Sequence, residues 1–380
     1  MTCEAQDRST SANDTPVEGF NNVITGVGGE NDRGKRLLTQ TIDHYAKVEP
    51  RRVFACIPRS NDPTDGFRDI DMEAMAASVN NTARWLDKTI GPADDTPEKT
   101  TISYVGPSDL RYSILFFASI KCRRKLLFIS PRNTQLQNIS MLRRSGCQVL
   151  LFAPELSTMV EKLGSGIPAL ETLKVPSLAE ILDKSSIAFP YPFTASYEDI
   201  KDDHCLILHS SGSTGEPKLV YMTHGAISVT DNDTHMPVPA GRRAQNAAQF
   251  NFCDSGRFYS CFPPYHMAGV QAYIIIPVFS KTATVVMGPP MTPPSGFLLS
   301  EIMKQQHLRG FYAPPFIIEQ WATEPMALEQ AKSLKFVLYG GGPLSPSVGN
   351  ALSKVTDVCQ MYGSLEIGQV QMLIPLPGQW

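Results

Sequence analysis

From residue 100 onward, short apolar runs alternate with longer segments of helical spacing, which leaves few folds open to the chain. The run “TTISYVG” reads as a strand, “SDLRYSILFFASIKC” as a helix and “KLLFIS” as a strand. “CQVLLFA” follows as another strand after the polar “PRNTQLQNISMLRRSG”. Short strands separated by segments of that length indicate a parallel sheet with crossover helices. A second series begins at “HCLILHSSGSTG” and continues through “GAISVTDNDTH”, “AYIIIPVF”, “ATVVMGPP”, “KFVLYGGGP” and “VCQMYGS”. Within it, “GPPMTPPSG” is a cluster of breakers and reads as a loop between two sheet layers. The expected class is α/β with more than one sheet.

Upstream, Leu37, Leu38, Ile42, Tyr45 and Ala46 share one helical face in “GKRLLTQTIDHYAKVEP”, which Pro50 ends. “RRVFACIP” reads as a short strand, and “DMEAMAASVNNTARWLDKTIG” as a helix that Gly91 caps. Residues 1 to about 35 are rich in Ser, Thr, Asn, Asp, Glu and Gly without periodic apolar positions, and read as a disordered tail. A folded unit is expected over 36–380. A net charge of −3 with no basic stripe argues against nucleic acid as the main partner. Eight scattered cysteines, with no CxxC and no zinc spacing, suit a reducing compartment. The N-terminus has no secretory pattern, and the longest apolar window, “VQAYIIIPVF”, is about half a membrane span. That window reads as a buried helix or strand, so no membrane partner is expected and the default location is cytoplasmic.

Residues 209–218, “HSSGSTGEPK”, follow directly on the buried-strand pattern “CLILH”. In open α/β sheets ligands bind beyond the carboxyl ends of strands. Gly212 and Gly215 let the backbone curl so that successive N–H groups converge on an anion. Ser210, Ser211, Ser213 and Thr214 add hydroxyl donors, and Lys218 adds a mobile positive charge. A solvated spacer of similar composition would continue in polar residues, whereas “KLVYMTHGAI” resumes strand and then helix. The GxxxxGK[ST] phosphate loop is absent. Phosphate binding is the favoured reading.

“SSGSTGEPKLV” followed closely by “THG” resembles the phosphate-binding signature of the adenylate-forming enzymes: acyl-CoA synthetases, luciferases and adenylation domains of nonribosomal peptide synthetases (NRPS). “FPPYHMAG” (262–269) is similar to the family's aromatic-histidine loop beside the acyl pocket. “YGGGPLS” (339–345) and “QMYGSLEIG” (360–368) are similar to its adenine-contacting turn and its nucleotide segment. “FRDIDMEAMAASVNNTARWLD” and “SPRNT” look closest to fungal NRPS-like carboxylic acid reductases, where an adenylation domain precedes a carrier and a reductase domain. The resemblance covers residues 36 to 380 and implies the large N-terminal subdomain of such an enzyme, with stacked, mostly parallel sheets. It implies ATP, AMP and Mg²⁺ as ligands, a carboxylic acid as substrate, and acyl transfer to phosphopantetheine on a carrier domain or to coenzyme A. The loop from Ser210 to Gly215 with Lys218 would hold the β- and γ-phosphates, and Glu366 would help hold Mg²⁺. Tyr362, Gly341 and Gly342 would hold adenine, with Gln360, Met361 and Leu365 in the same nucleotide-binding segment. His266 would border the acyl carboxylate, and Gly340, Phe311 and Phe316 would meet the substrate.

Each residue also has a structural explanation. His266 could be a core histidine, although Pro263, Pro264 and Gly269 place it in a rigid turn. Gly340 to Gly342 could simply end a strand, Tyr362 could be packing, and Glu366 a solvated carboxylate. Two departures from the family stand out. Leu365 occupies a position where the family has a threonine that contacts phosphate, and leucine donates no hydrogen bond. The sequence stops at Trp380, before the family's ribose-binding aspartate, hinge and small lid domain with its lysine. Phe262, Pro263, Pro264 and Tyr265 stand where amino-acid-activating relatives place an aspartate, which favours an aryl or other non-amino acid. Phe311, Tyr312 and Phe316 are expected to form an aromatic wall, and Glu319 is the nearest candidate carboxylate in sequence. The alternatives are a catalytically inactive nucleotide- or acyl-binding fragment and a stand-alone acyl-CoA ligase.

Overall fold

The computed structural model describes residues 32–93, 101–183, 189–210, 215–254, 256–280 and 282–380. The expected tail up to residue 31, and Ser211, Gly212, Ser213 and Thr214 of the phosphate loop, lie outside the described residues. In chain order the first strands are β1 (Val53–Pro58), β2 (Phe67–Asp71), β3 (Thr101–Val105), β4 (Lys125–Phe128), β5 (Val149–Phe152), β6 (Glu171–Lys174) and β7 (His204–Ser210). Then come β8 (Lys218–Thr223), β9 (Arg257–Ser260), β10 (Val285–Val286), β11 (Leu308–Ala313), β12 (Phe336–Gly340), β13 (Asp357–Ser364) and β14 (Gly368–Val370).

They form two sheets. The six-stranded sheet has the order β6-β5-β3-β4-β7-β8, parallel except for the antiparallel edge β8. The eight-stranded sheet has the order β14-β13-β12-β11-β9-β10-β1-β2, with antiparallel strands only at its two edges. The breaker run after β10 touches both: it leaves the eight-stranded sheet, and the Pro290 carbonyl accepts a 3.2 Å bond from the amide of Ser108, just beyond β3.

Three apolar clusters follow from this stacking. The largest lies between the sheets and includes side chains of helices Leu38–Val48, Met72–Ile90 and Arg111–Lys121. A second covers the outer face of the eight-stranded sheet under helices Gly296–Gln305 and Pro315–Ala322. A third covers the outer face of the six-stranded sheet under helices Gln135–Arg144 and Ser157–Gly166. The window “VQAYIIIPVF” is helical, with a π-helical turn Gln271–Ile275 between two short α-helical pieces. “GAISVTDNDTH” likewise forms a short α-helix running into a 3₁₀ turn, Val229–His235. Helix Met72–Ile90 ends as its sequence predicts, with Gly91 in the left-handed region at φ +77°. Among the described residues no helix is long and apolar enough to cross a membrane.

The buried Arg36–Asp231 pair ties the start of the folded unit to that 3₁₀ turn. Nε of Arg36 donates to the Asp231 carboxylate at 2.6 Å, and the Gly34 amide donates to it at 3.1 Å. Both side chains are almost wholly shielded from solvent. Removing one member of such a pair strands the other charge in a dry site, which typically costs about 3–5 kcal/mol. Asp231→Ala is therefore expected to lower the unfolding free energy by roughly that amount in urea titrations. A loss near zero would show that water reaches Arg36 once its partner is gone.

Candidate active site

Carboxyl ends of parallel strands from both sheets open onto one cleft of about 650 Å³. From the six-stranded sheet come Ser130 and Asn133 beyond β4, and His209 and Ser210 at the end of β7. From the eight-stranded sheet come Phe262 beyond β9, Tyr312 on β11, Gly341 beyond β12, and Met361, Tyr362 and Ser364 on β13. Among the described residues, Ser210, His266, Phe316, Gly341, Met361, Tyr362, Leu365 and Glu366 of those expected from sequence line this cleft, whereas Gly215 and Lys218 do not.

The mouth of the cleft is polar and open. Tyr362 is 56% exposed on one wall, so its ring face is free for a planar ligand. The exposed Glu366 carboxylate is held below its ordinary range by its own backbone N–H, then by the Ser364 hydroxyl and the Lys218 charge. Lys218 opens β8 and is itself exposed. Gly341 has φ +87°, a left-handed conformation that a side chain would strain. Leu365 lines the cleft and packs partly against the core between the sheets.

The deep end is apolar and aromatic. The Phe262 ring lies 4.5 Å from Tyr312 and stacks on His266 at 5.9 Å, with 17° between planes. His266 opens the short helix Met267–Val270, and its Nδ1 accepts a 3.3 Å bond from the Ala268 amide. With Nδ1 an acceptor, the neutral ring carries its proton on Nε2. The His266 ring is exposed on its outer side, and desolvation by the cleft wall on the other side pushes its pKa below the ordinary imidazole value. Burial, assisted by the nearby His266, likewise pushes His209 down to about 4. The Nε2 of His209 sits 3.4 Å from Nδ2 of Asn133, which also donates to Oδ1 of Asn138 at 3.2 Å.

Some expected site residues lie elsewhere. Phe311 is fully buried on the far side of the sheet, packed edge-on against Trp321 at 5.1 Å, because adjacent strand residues point to opposite faces. The aromatic lining is therefore Phe262, Tyr312 and Phe316 without Phe311, and of these Phe316 is exposed. Gly340 is buried at the end of β12 and does not line the cleft; a Cβ there would come within 2.9 Å of the Met361 carbonyl and 3.1 Å of the Tyr312 hydroxyl. Gly342 and Gln360 are outside the lining, and Gln360 is exposed on β13. Glu319 accepts a 2.9 Å bond from the Ser345 amide and does not line the cleft. Sequence reasoning missed His209, Asn133, Gln271 and Gln369, which do line it. His209 directly precedes the serine run on the same strand, and Asn133 lies in the “SPRNT” run, so the signals were present in motifs already noticed.

The family model described as AMP-binding enzyme matches residues 43–379. The chain belongs to the AMP-binding enzyme family. Among curated relatives, it is 30% identical over 351 residues to an isocyanide synthase–NRPS hybrid of Aspergillus fumigatus, covering 91% of this chain and 22% of the relative. It is 26% identical over 355 residues to a carboxylic acid reductase of Neurospora crassa, covering 91% of this chain and 32% of the relative. The chain thus spans about a fifth to a third of those proteins, at 22% and 32%. The inhibitor-bound N-terminal domain of FACL13 from Mycobacterium tuberculosis superposes with a TM-score of 0.69 at 20% identity, over 89% of this chain and 79% of that one. The O-succinylbenzoate coenzyme A synthetase of Bacillus subtilis, solved with AMP, gives 0.67 at 15% identity, over 88% and 61%. These likenesses establish the AMP-binding fold, that of the N-terminal domain of adenylate-forming enzymes.

The depressed imidazoles give this AMP-binding unit a pH signature. His209 and His224, each pushed by burial to about 4 from an ordinary 6.5, stay neutral in the folded chain while the unfolded chain takes up protons. Stability is then fully present above pH 6.5 and declines as pH falls toward about 4, because unfolding binds protons in that window. His209→Gln should flatten part of that slope in urea titrations across the range. An NMR titration placing the His209 midpoint near 6.5 would contradict the assignment.

Proposed function

We propose that this chain activates a carboxylic acid as its acyl-adenylate, within a larger NRPS-like enzyme. In that step a carboxylate oxygen attacks the α-phosphorus of ATP, the bond to the bridging oxygen breaks, and pyrophosphate leaves. The observation that carries this reading is the two-ended cleft: Tyr362, Glu366 and nearby Lys218 at an open polar mouth, and a neutral aromatic chamber behind. Two anionic reactants need charge neutralisation and alignment for in-line displacement. Tyr362 stacks on adenine, Gly341 lets the backbone approach it, and Lys218 with the serine run meets the β- and γ-phosphates. His266, neutral with its proton on Nε2, donates to the incoming carboxylate without a competing charge.

The donor set fits Mg²⁺ brought in by the nucleotide. Such an ion keeps phosphate and water ligands and takes one or two protein carboxylates. Glu366 is the single acidic side chain on the cleft wall among the described residues, and its carboxylate is held ionised. There Mg²⁺ would supply charge neutralisation between phosphate oxygens.

The acid we propose is an aryl or other non-amino acid. An ammonium buried without a partner is costly, and neither Glu319 nor any other carboxylate lines the deep end among the described residues. The acyl group then passes to a phosphopantetheine thiol, on a carrier domain ahead of a reductase domain or on coenzyme A. The reductase named among the relatives, together with the fraction of it that this chain spans, supports the former. Seven described cysteines, all free thiols, suit the cytoplasm.

Leu365 supports a second reading, a nucleotide-binding chain without turnover, since leucine offers phosphate no hydrogen bond. A pyrophosphate-release assay on the protein in its full-length parent separates the two. Release with benzoic or cinnamic acids, at rates well above those with free amino acids, is the expected outcome. Nucleotide binding with no release on any acid selects the second reading.

Tyr362→Ala should weaken AMP binding by about 1–3 kcal/mol, the worth of one base–aromatic stack, measured by calorimetry. Glu366→Gln should weaken Mg²⁺-ATP while leaving AMP nearly unchanged. Equal loss for both ligands would remove Glu366 from the metal role.

A further inference from the structure

Helix Gln135–Arg144 grips the chain where it enters β8, a contact to which the reaction proposed above assigns no role. Nε2 of Gln137 donates to the Gly215 carbonyl at 3.0 Å, and Nη1 of Arg144 donates to the Pro217 carbonyl at 2.8 Å. Between them the Ser140 hydroxyl donates to the Glu216 carboxylate at 3.3 Å, and Arg144 pairs with the same carboxylate at 3.8 Å. Gln137, Ser140 and Arg144 lie three and four residues apart, so they share one face of the helix. That face therefore holds Gly215, Glu216 and Pro217 in succession. The same element also holds β7, which leads into this run. Asn133, just before the helix, has Nδ2 3.4 Å from Nε2 of His209, and the buried Asn138 donates to the Ser130 carbonyl at 3.1 Å beyond β4.

The Gln137 side chain is fixed at both ends. Its Oε1 accepts from the Thr134 amide at 3.0 Å, while its own backbone amide donates to the Thr134 hydroxyl at 3.2 Å, a reciprocal capping box. With the oxygen so engaged, the nitrogen faces Gly215. A glutamate here would cap the helix equally well but would carry no donor for the Gly215 carbonyl. Holding the two carbonyls has consequences for the loop. In a trans peptide the carbonyl and N–H point opposite ways, so the bond to the Gly215 carbonyl sets the direction of the Glu216 N–H. The bond to the Pro217 carbonyl fixes the peptide plane that leads into Lys218, the first residue of β8. Glu216 is the one acidic side chain in “HSSGSTGEPK”, and Ser140 and Arg144 hold it off the cleft wall, which it does not line. A carboxylate free to swing toward a triphosphate would oppose its binding.

We infer that Gln137 and Arg144 are positioning residues for the triphosphate of ATP, acting through the carbonyls of Gly215 and Pro217. The inference rests on the reading that this run meets the β- and γ-phosphates, and adds to it the helix that holds the run in place. AMP lacks both phosphates. A clamp of this kind therefore supports the binding of Mg²⁺-ATP and is indifferent to AMP, whereas a merely structural role for the helix would weaken both nucleotides together.

The test is calorimetry with Mg²⁺-ATP and, separately, with AMP, on the wild-type chain and its variants. Gln137→Ala and Arg144→Ala should each weaken Mg²⁺-ATP roughly three- to tenfold while AMP affinity changes by less than about twofold, which also reports that the variants are folded. Gln137→Glu, which keeps the capping box, should weaken Mg²⁺-ATP at least as much as Gln137→Ala. Gln135→Ala, whose side chain bonds the Lys162 carbonyl and not the loop, should leave both affinities unchanged. Unchanged Mg²⁺-ATP affinity in the alanine variants, parallel loss of both nucleotides, or a loss confined to Gln137→Glu, which would report its added charge alone, would each overturn the inference. The first of these outcomes with pyrophosphate release intact would leave the activation reading standing. An ATP-specific loss in a protein that releases no pyrophosphate with any acid would uphold the clamp and count against activation alone. A wild-type chain that binds AMP but no Mg²⁺-ATP would overturn both.

Discussion

Helix Arg111–Lys121 is buried along its whole length, and both sheets rest on the layer it belongs to. A helix in that position cannot leave its polar groups to water. Arg111 is met by Asp109 at 2.7 Å and Glu155 at 2.8 Å, and the Lys121 ammonium by Asp43 at 2.6 Å and Asn80 at 2.7 Å. The Ser113 hydroxyl donates to the Tyr273 carbonyl at 3.0 Å, which ties the helix to the segment behind the aromatic end of the cleft. Desolvated ions left without such partners cost several kcal/mol, so the partners act as positional constraints as much as sources of stability. They hold the layer in one orientation, and with it the strand ends that open on the cleft.

The cleft inherits its electrostatic character from that arrangement. Desolvation by the cleft wall disfavours the charged forms of His209 and His266. Among the described residues its one carboxylate, on Glu366, sits at the exposed mouth where ionisation is cheap. Charge is therefore graded along the cleft, from an ionised rim to a neutral interior. A nucleotide carries its negative charge on one side and a flat base on the other, and an acyl group carries none beyond its carboxylate. The gradient is what the proposed pairing of nucleotide and acid would require.

Much of the fold was legible in local patterns. Strand and helix lengths, the Gly91 cap and the layer-linking loop after β10 follow from periodicity and breaker residues. The motif residues Ser210, His266, Tyr362, Leu365 and Glu366 also converge as their strand-end positions imply. What was not legible depends on partners far away in sequence. Whether Phe311 or Tyr312 faces the cleft is decided by pairing of β11 with β12, Phe311 opposite Val337 and Tyr312 opposite Leu338. Glu319 is occupied by the Ser345 amide, a contact between a helix and the turn before another helix, which spacing does not reveal. Gln271 and Gln369 reach the cleft from a π-helical turn and an edge hairpin, two irregular elements with weak sequence signals.

The alternation along β11 has an evolutionary consequence. Gly310 leaves room for the Phe336 ring, Phe311 anchors the outer helices, and Tyr312 looks onto the cleft, so three consecutive residues belong to three different tasks. The packing of the outer helices on one face and the lining of the cleft on the other are separated by the thickness of a single strand, yet share no side-chain volume. Substitution at Tyr312 alters the cleft lining while the load carried by Phe311 is untouched. Variation at Tyr312 is therefore compatible with keeping the scaffold residues Gly310 and Phe311. A single-residue insertion would swap the two roles and forfeit both at once.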